Sequence, residues 1–94
     1  MKLRYHYTVH GFSGGRMLSN TLSGEWDSLT AGMELDSPNS EVSLTVSEVT
    51  VDTVTLRVRY RQKEKTLTLS RGREESFRVE ANAYGFTYLF SIKE

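Results

Sequence analysis

The chain has 94 residues, 12 Lys and Arg balanced by 12 Asp and Glu, one Pro and no Cys. That length suits one domain, residues 1–94, because two separate cores would each fall near the ~40-residue size at which disulfides or metals are usually needed. The lack of Cys excludes a disulfide framework and thiolate chemistry, no run approaches the ~20 apolar residues of a membrane span, and 26% charged with 11% aromatic residues is a globular composition, not a disordered one.

Residue usage favours strands: ten Thr, eight Val, five Tyr, four Phe and one Ile stand against three Ala. At the start, Leu3, Tyr5, Tyr7 and Val9 alternate with Lys2, Arg4, His6, Thr8 and His10, the period-two pattern of a half-buried strand. This opening has no basic segment followed by an apolar run, so no signal peptide is read from it; a cytoplasmic protein and a processed secreted domain are both compatible. Gly11, Gly14 and Gly15 then predict a loop. Leu18, Asn20 and Leu22 suggest a second strand, and Leu29, Ala31, Met33 and Leu35 another. A competing helix capped by Asp27 is weakened by Gly32 inside it. Asp36-Ser37-Pro38-Asn39-Ser40 is a turn cluster.

Beyond it the apolar phase changes twice. Val42, Leu44 and Val46 are even, Val49 and Val51 odd, and Val54, Leu56, Val58 and Tyr60 even again. The first change, at Ser47-Glu48, predicts a β-bulge or a strand passing between sheets; the second predicts a hairpin of 42–51 with 54–60, turning at Asp52-Thr53. A further turn within residues 61–65 leads to a strand over 66–70 with Leu67 and Leu69 inward. Arg71-Gly72 turns into a strand over 75–80, and Tyr84, Phe86, Tyr88, Phe90 and Ile92 form a closing core stripe. About seven or eight short strands with regular turns predict an all-β fold, a small antiparallel β-sandwich, with a closed or partly open β-barrel as the alternative.

Signals for chemistry are weak. Gly11-Phe12-Ser13-Gly14-Gly15 matches a nucleophile-elbow string, but that elbow needs a following helix and a later histidine, and both His6 and His10 precede the serine. The same segment lacks the Lys-Ser/Thr end of a phosphate loop. On an extended strand His6 and His10 lie roughly 13 Å apart, too far to share a zinc, and the adjacent Glu74 and Glu75 point to opposite faces. No catalytic set, metal site or cofactor is therefore expected.

Two surfaces remain as candidates. Arg57, Arg59, Arg61, Lys63 and Lys65 occur at every second position, so an uninterrupted strand would place all five on one face, and a turn within 61–65 would carry the last of them round to the tip. Such a ladder suits phosphates or a polyanion, yet the favoured reading is an ordinary charged, solvent-facing strand, and nucleic acid is not expected of a neutral chain. Trp26, the single tryptophan, is read as a sugar platform or, preferentially, as a packing anchor. The favoured function is a non-catalytic binding domain for a protein or glycan ligand, with homo-oligomerisation left open. The rival is a small enzyme whose His6, His10, Ser13 and Asp27 are assembled only by the fold. Neutrality itself is a cancellation: residues 1–56 hold three cations and seven anions, residues 57–94 nine and five.

Overall fold

The computed structural model describes residues 2–13, 15–80 and 84–93, the side chains of residues 12 and 13 excepted. Eight strands follow one another: β1 (Lys2–Ser13), β2 (Arg16–Trp26), β3 (Glu34–Leu35), β4 (Val42–Val49), β5 (Thr53–Tyr60), β6 (Lys63–Ser70), β7 (Glu74–Glu80) and β8 (Tyr84–Lys93). They form two antiparallel four-stranded sheets, β2-β1-β8-β7 and β3-β4-β5-β6, packed as a β-sandwich. The sheets do not close into a barrel. Where β6 runs beside β7, no ladder joins them; the Lys63 and Lys65 ammonium groups instead donate to the Arg78 and Ser76 carbonyls at 3.2 and 3.3 Å.

The core follows from the period-two pattern. Leu3, Tyr7, Phe86, Tyr88, Phe90 and Phe77 from the first sheet meet Leu44, Val46, Val54, Leu56, Val58, Leu67 and Leu69 from the second, all buried. The first phase change sits where the alternation places it; the second turns at residues 50–52 and not at Asp52-Thr53, since Thr53 already pairs with Ser70 in β5. Val46 pairs with Leu56 and Glu48 with Thr55, so Ser47 is the extra residue of a β-bulge that returns Val49 to the inner face opposite Val54. Strand β4 ends at Val49, not at 51. The hairpin loop is closed by Thr50 N–H to the Thr53 carbonyl at 2.9 Å, and Val51 stands at its tip, 81% exposed.

Two segments depart from the sequence pattern. Strand β1 runs on through Gly11, which pairs with Leu18 on one side and Tyr84 on the other; strand neighbours on both flanks outweigh glycine's weak strand preference. The segment after Trp26 forms only the two-residue β3 and no helix. Ser28 and Gly32 adopt φ of 54° and 88°, and those left-handed positions break an extended run from Leu29 to Leu35.

The β5–β6 hairpin turns at Arg61-Gln62, between paired Tyr60 and Lys63. Arg61 has φ 55°, a region costly for a side chain with a Cβ and open to glycine. Replacing Arg61 with Gly should therefore raise stability by about 1 kcal/mol, read as a higher midpoint of thermal unfolding. A lower midpoint would show that the Arg61 contacts with the Tyr60 ring and Glu41 outweigh the backbone strain.

Candidate functional site

The strand ends and edges differ in how they are defended. Strand β3 is two residues long, and β6 carries Lys63, Glu64 and Lys65. Strand β7 carries Glu74, Glu75, Arg78 and Glu80 and has two of its carbonyls capped by the β6 lysines. Short strands, charges and lysines are the usual means by which proteins block edge pairing. Strand β2 is long, and its only charges, Arg16 and Glu25, lie at its ends. From Met17 to Gly24 it reads Met-Leu-Ser-Asn-Thr-Leu-Ser-Gly, without charge, proline or bulge, and keeps unbroken register with β1 from Trp26 to Arg16.

Register shows which way its side chains point. Leu22 lies opposite Tyr7, Asn20 opposite Val9 and Leu18 opposite Gly11, so all three share the core-facing side of the sheet. The second sheet does not reach them: β6 lies against β7 and β8, and the loop after β3 lies over Tyr88. Leu18 is consequently 57% and Leu22 49% exposed, while Met17 on the opposite face is 63% exposed. Val9, Gly11, Leu18, Asn20 and Tyr84 line a shallow, open cavity of about 270 Å³ beside them.

The border of this open region is built from tyrosines. Tyr88 is fully buried, and its hydroxyl meets Ser37 Oγ and accepts the Asn39 backbone N–H at 3.2 Å, which ties the loop after β3 to the first sheet. Burial, with the neighbouring Tyr84 hydroxyl as the next cause, pushes the Tyr7 hydroxyl up to about 12. Burial also raises Tyr88. The Tyr88 phenol serves as the hydrogen-bonding link between that loop and the sheet.

Trp26 is placed as an anchor. Its ring stacks on Tyr5 at 4.5 Å and approaches Phe90 at 6.4 Å, and its Nε1–H donates to the Asp36 carbonyl at 3.1 Å, joining the end of β2 to the segment after β3. Tyr5 in turn lies across Gly24, where a Cβ would fall 2.5 Å from its hydroxyl; a glycine in an edge strand here admits an aromatic cover.

The basic ladder is divided. The tight turn at Arg61-Gln62 leaves Arg57 and Arg59 on the outer face, opposite Thr66 and Glu64, but sets Lys63 and Lys65 in the inner-face rows of Tyr60 and Val58. Arg57 pairs with Glu64 at 3.2 Å and Arg61 with Glu41 at 3.5 Å, and Lys63 lies over the Phe77 ring as well as on the Arg78 carbonyl. No single face presents the five cations. The acidic and basic halves of the chain also interleave, since each sheet contains strands from both. Lys93 holds Glu25 at 2.8 Å with Arg4 at 3.5 Å, and the Lys93 hydrogen bond lowers the Glu25 carboxyl below its usual range.

The histidines lie on the outer face of the first sheet. His6 Nδ1 is 2.6 Å from Ser23 Oγ, a pair invisible to sequence because seventeen residues separate its members. The pair is exposed on the outer face, where His6 and Ser23 with Arg4, Gly24 and Glu25 line an open cavity of about 320 Å³. His10 lies over Gly85, where a Cβ would fall 2.6 Å from its Nε2 and 2.9 Å from the Val79 carbonyl. Ser13 closes the β1–β2 hairpin through its backbone pairing with Arg16, and its side chain is outside the described residues. Glu74 and Glu75 pair with Ser91 and Phe90, on opposite faces. Among the described residues no three His, Asp or Glu side chains are grouped to hold an ion.

Sequence reading found β2 as a strand but missed Met17, Leu18 and Leu22 as surface residues. Alternation marks an inner face; only the reach of the facing sheet says whether that face is covered. No protein-family model, curated protein or solved structure matches the chain, so a functional reading rests on the geometry of this edge.

Proposed function

We propose that the protein is a non-catalytic interaction module that accepts an extended segment of a protein ligand as an added strand along β2. The observation that carries this reading is the contrast between β2 and the other edges: it alone among the described strands joins a long uncharged edge to exposed leucines on its inner face. In strand addition the main-chain groups supply affinity, and pockets for alternate side chains supply selectivity. The row of Leu18, Asn20 and Leu22 with the adjoining cavity offers such positions. A protein strand fits better than a glycan, because the exposed groups are aliphatic and the Trp26 ring is stacked on Tyr5.

A random peptide library displayed on phage tests the reading. Retained peptides are expected to alternate apolar and polar residues, and Leu22→Lys should weaken their binding by about tenfold or more, equivalent to about 1.4 kcal/mol. The double variant Arg57→Ser/Arg59→Ser should bind as the wild type does. Recovery of no peptides, or of peptides indifferent to Leu22→Lys, would remove the proposal.

A further inference from the structure

We infer that the strand added to β2 is the β2 of a second copy of this chain, paired antiparallel about a two-fold axis through Asn20. The inference rests on the β2-edge reading and names its occupant. Paired residues on antiparallel strands share a face, so an axis at Asn20 sets Leu18 of each copy against Leu22 of the other. All four exposed leucines of the inner face are then paired in one step. Shifting the axis to Thr21 would leave Leu18 opposite Gly24 and Leu22 opposite Asn20. On the outer face the Asn20 axis pairs Ser19 with Thr21, a favourable hydroxyl pair.

Charge agrees with the antiparallel sense. Strand β2 has Arg16 at its beginning and Glu25 near its end and no charge between, so each Arg16 comes to lie at the Glu25 end of the other copy, and like charges are not opposed. The chain's zero formal charge removes long-range repulsion between copies. Leu22 of the second copy, seated beside Leu18, also reaches the rim of the cavity lined by Val9, Gly11 and Tyr84. The two four-stranded sheets become one eight-stranded sheet, and the undefended edge disappears.

The test uses the intact chain. Light scattering across a wide concentration range should show the 10.7 kDa chain passing into a species of twice that mass. Leu18→Lys/Leu22→Lys, which sets lysine against lysine across the axis, should keep it monomeric, whereas Leu18→Lys/Leu22→Glu, which sets lysine against glutamate, should restore the dimer. Both positions are exposed, and circular dichroism of each variant should show the strand content of the wild type. Because the chain has no Cys, Asn20→Cys introduces a unique thiol, which should oxidise to a disulfide-linked dimer far faster than Thr68→Cys on the outer face of β6.

A wild type that stays monomeric, a dimer that survives Leu18→Lys/Leu22→Lys, or equal oxidation of the two cysteine variants would overturn the inference. A monomer that still retains alternating peptides through Leu22 would leave the strand-addition reading standing with a foreign protein as ligand. A monomer without such peptides would defeat both.

Discussion

Phe86→Ala is expected to destabilise the fold by about 3–5 kcal/mol, the largest effect of any single substitution considered. Phe86 is fully buried at the meeting point of the two sheets. Its ring stands edge-on to Tyr60 at 5.1 Å and to Tyr88 at 6.0 Å, with Tyr7, Phe77 and Tyr84 at 5.8, 6.4 and 6.2 Å. Truncation removes the transfer energy of the ring and leaves a cavity whose walls belong to four different strands, so collapse onto it is restricted. A domain of this size has about 5–15 kcal/mol in total, and each kcal/mol moves the thermal midpoint by roughly 4–8 °C. Denaturant unfolding should therefore show a large share of the stability gone, while Phe86→Leu should cost far less. A loss below about 1 kcal/mol for the alanine variant, within the ordinary range for surface substitutions, would mean that Phe86 is not the junction of the core.

Trp26→Ala comes next, at about 2–3 kcal/mol, below the full range for a buried Trp because the residue is only half-buried. The loss has two parts that can be separated. Trp26→Phe keeps an aromatic surface against Tyr5 and gives up the hydrogen bond to the Asp36 carbonyl, a loss of about 1 kcal/mol. The difference between the two variants then reports stacking and packing. A tryptophan serving as an exposed sugar platform would behave otherwise: its removal would leave the thermal midpoint where it was. As the only tryptophan in the chain it reports its own environment, and its emission should shift to the red as Tyr5 and Phe90 leave it on unfolding.

Much of this architecture is legible in the residues. Alternation from Leu3 to Val9 and from Tyr84 to Ile92 identifies the two central strands of the first sheet, because a strand that buries one face must place apolar groups at every second position. The odd-phase Val49 locates the Ser47 bulge for the same reason. Other features escape local pattern. Gly11 suggests a loop but lies in a strand held from both sides, and the residues from Leu29 to Leu35 alternate like a strand while Ser28 and Gly32 turn the chain away. At Arg61-Gln62 a tight turn divides five evenly spaced cations between two faces, since only the turn geometry sets where the alternation restarts.

The candidate site illustrates the division most clearly. Sequence by itself determined that the chain is an all-β domain without thiols, which strands alternate and which residues face inward, since these depend on side-chain period and on residue type. Tertiary structure decided which inward-facing residues are covered. Leu22 and Tyr7 stand opposite each other in the same row, yet Tyr7 is buried and Leu22 is half exposed. The loop tied to Tyr88 brings Asn39 to the Tyr7 hydroxyl, while Leu22 on the edge strand stays exposed, and both depend on residues far apart in the chain.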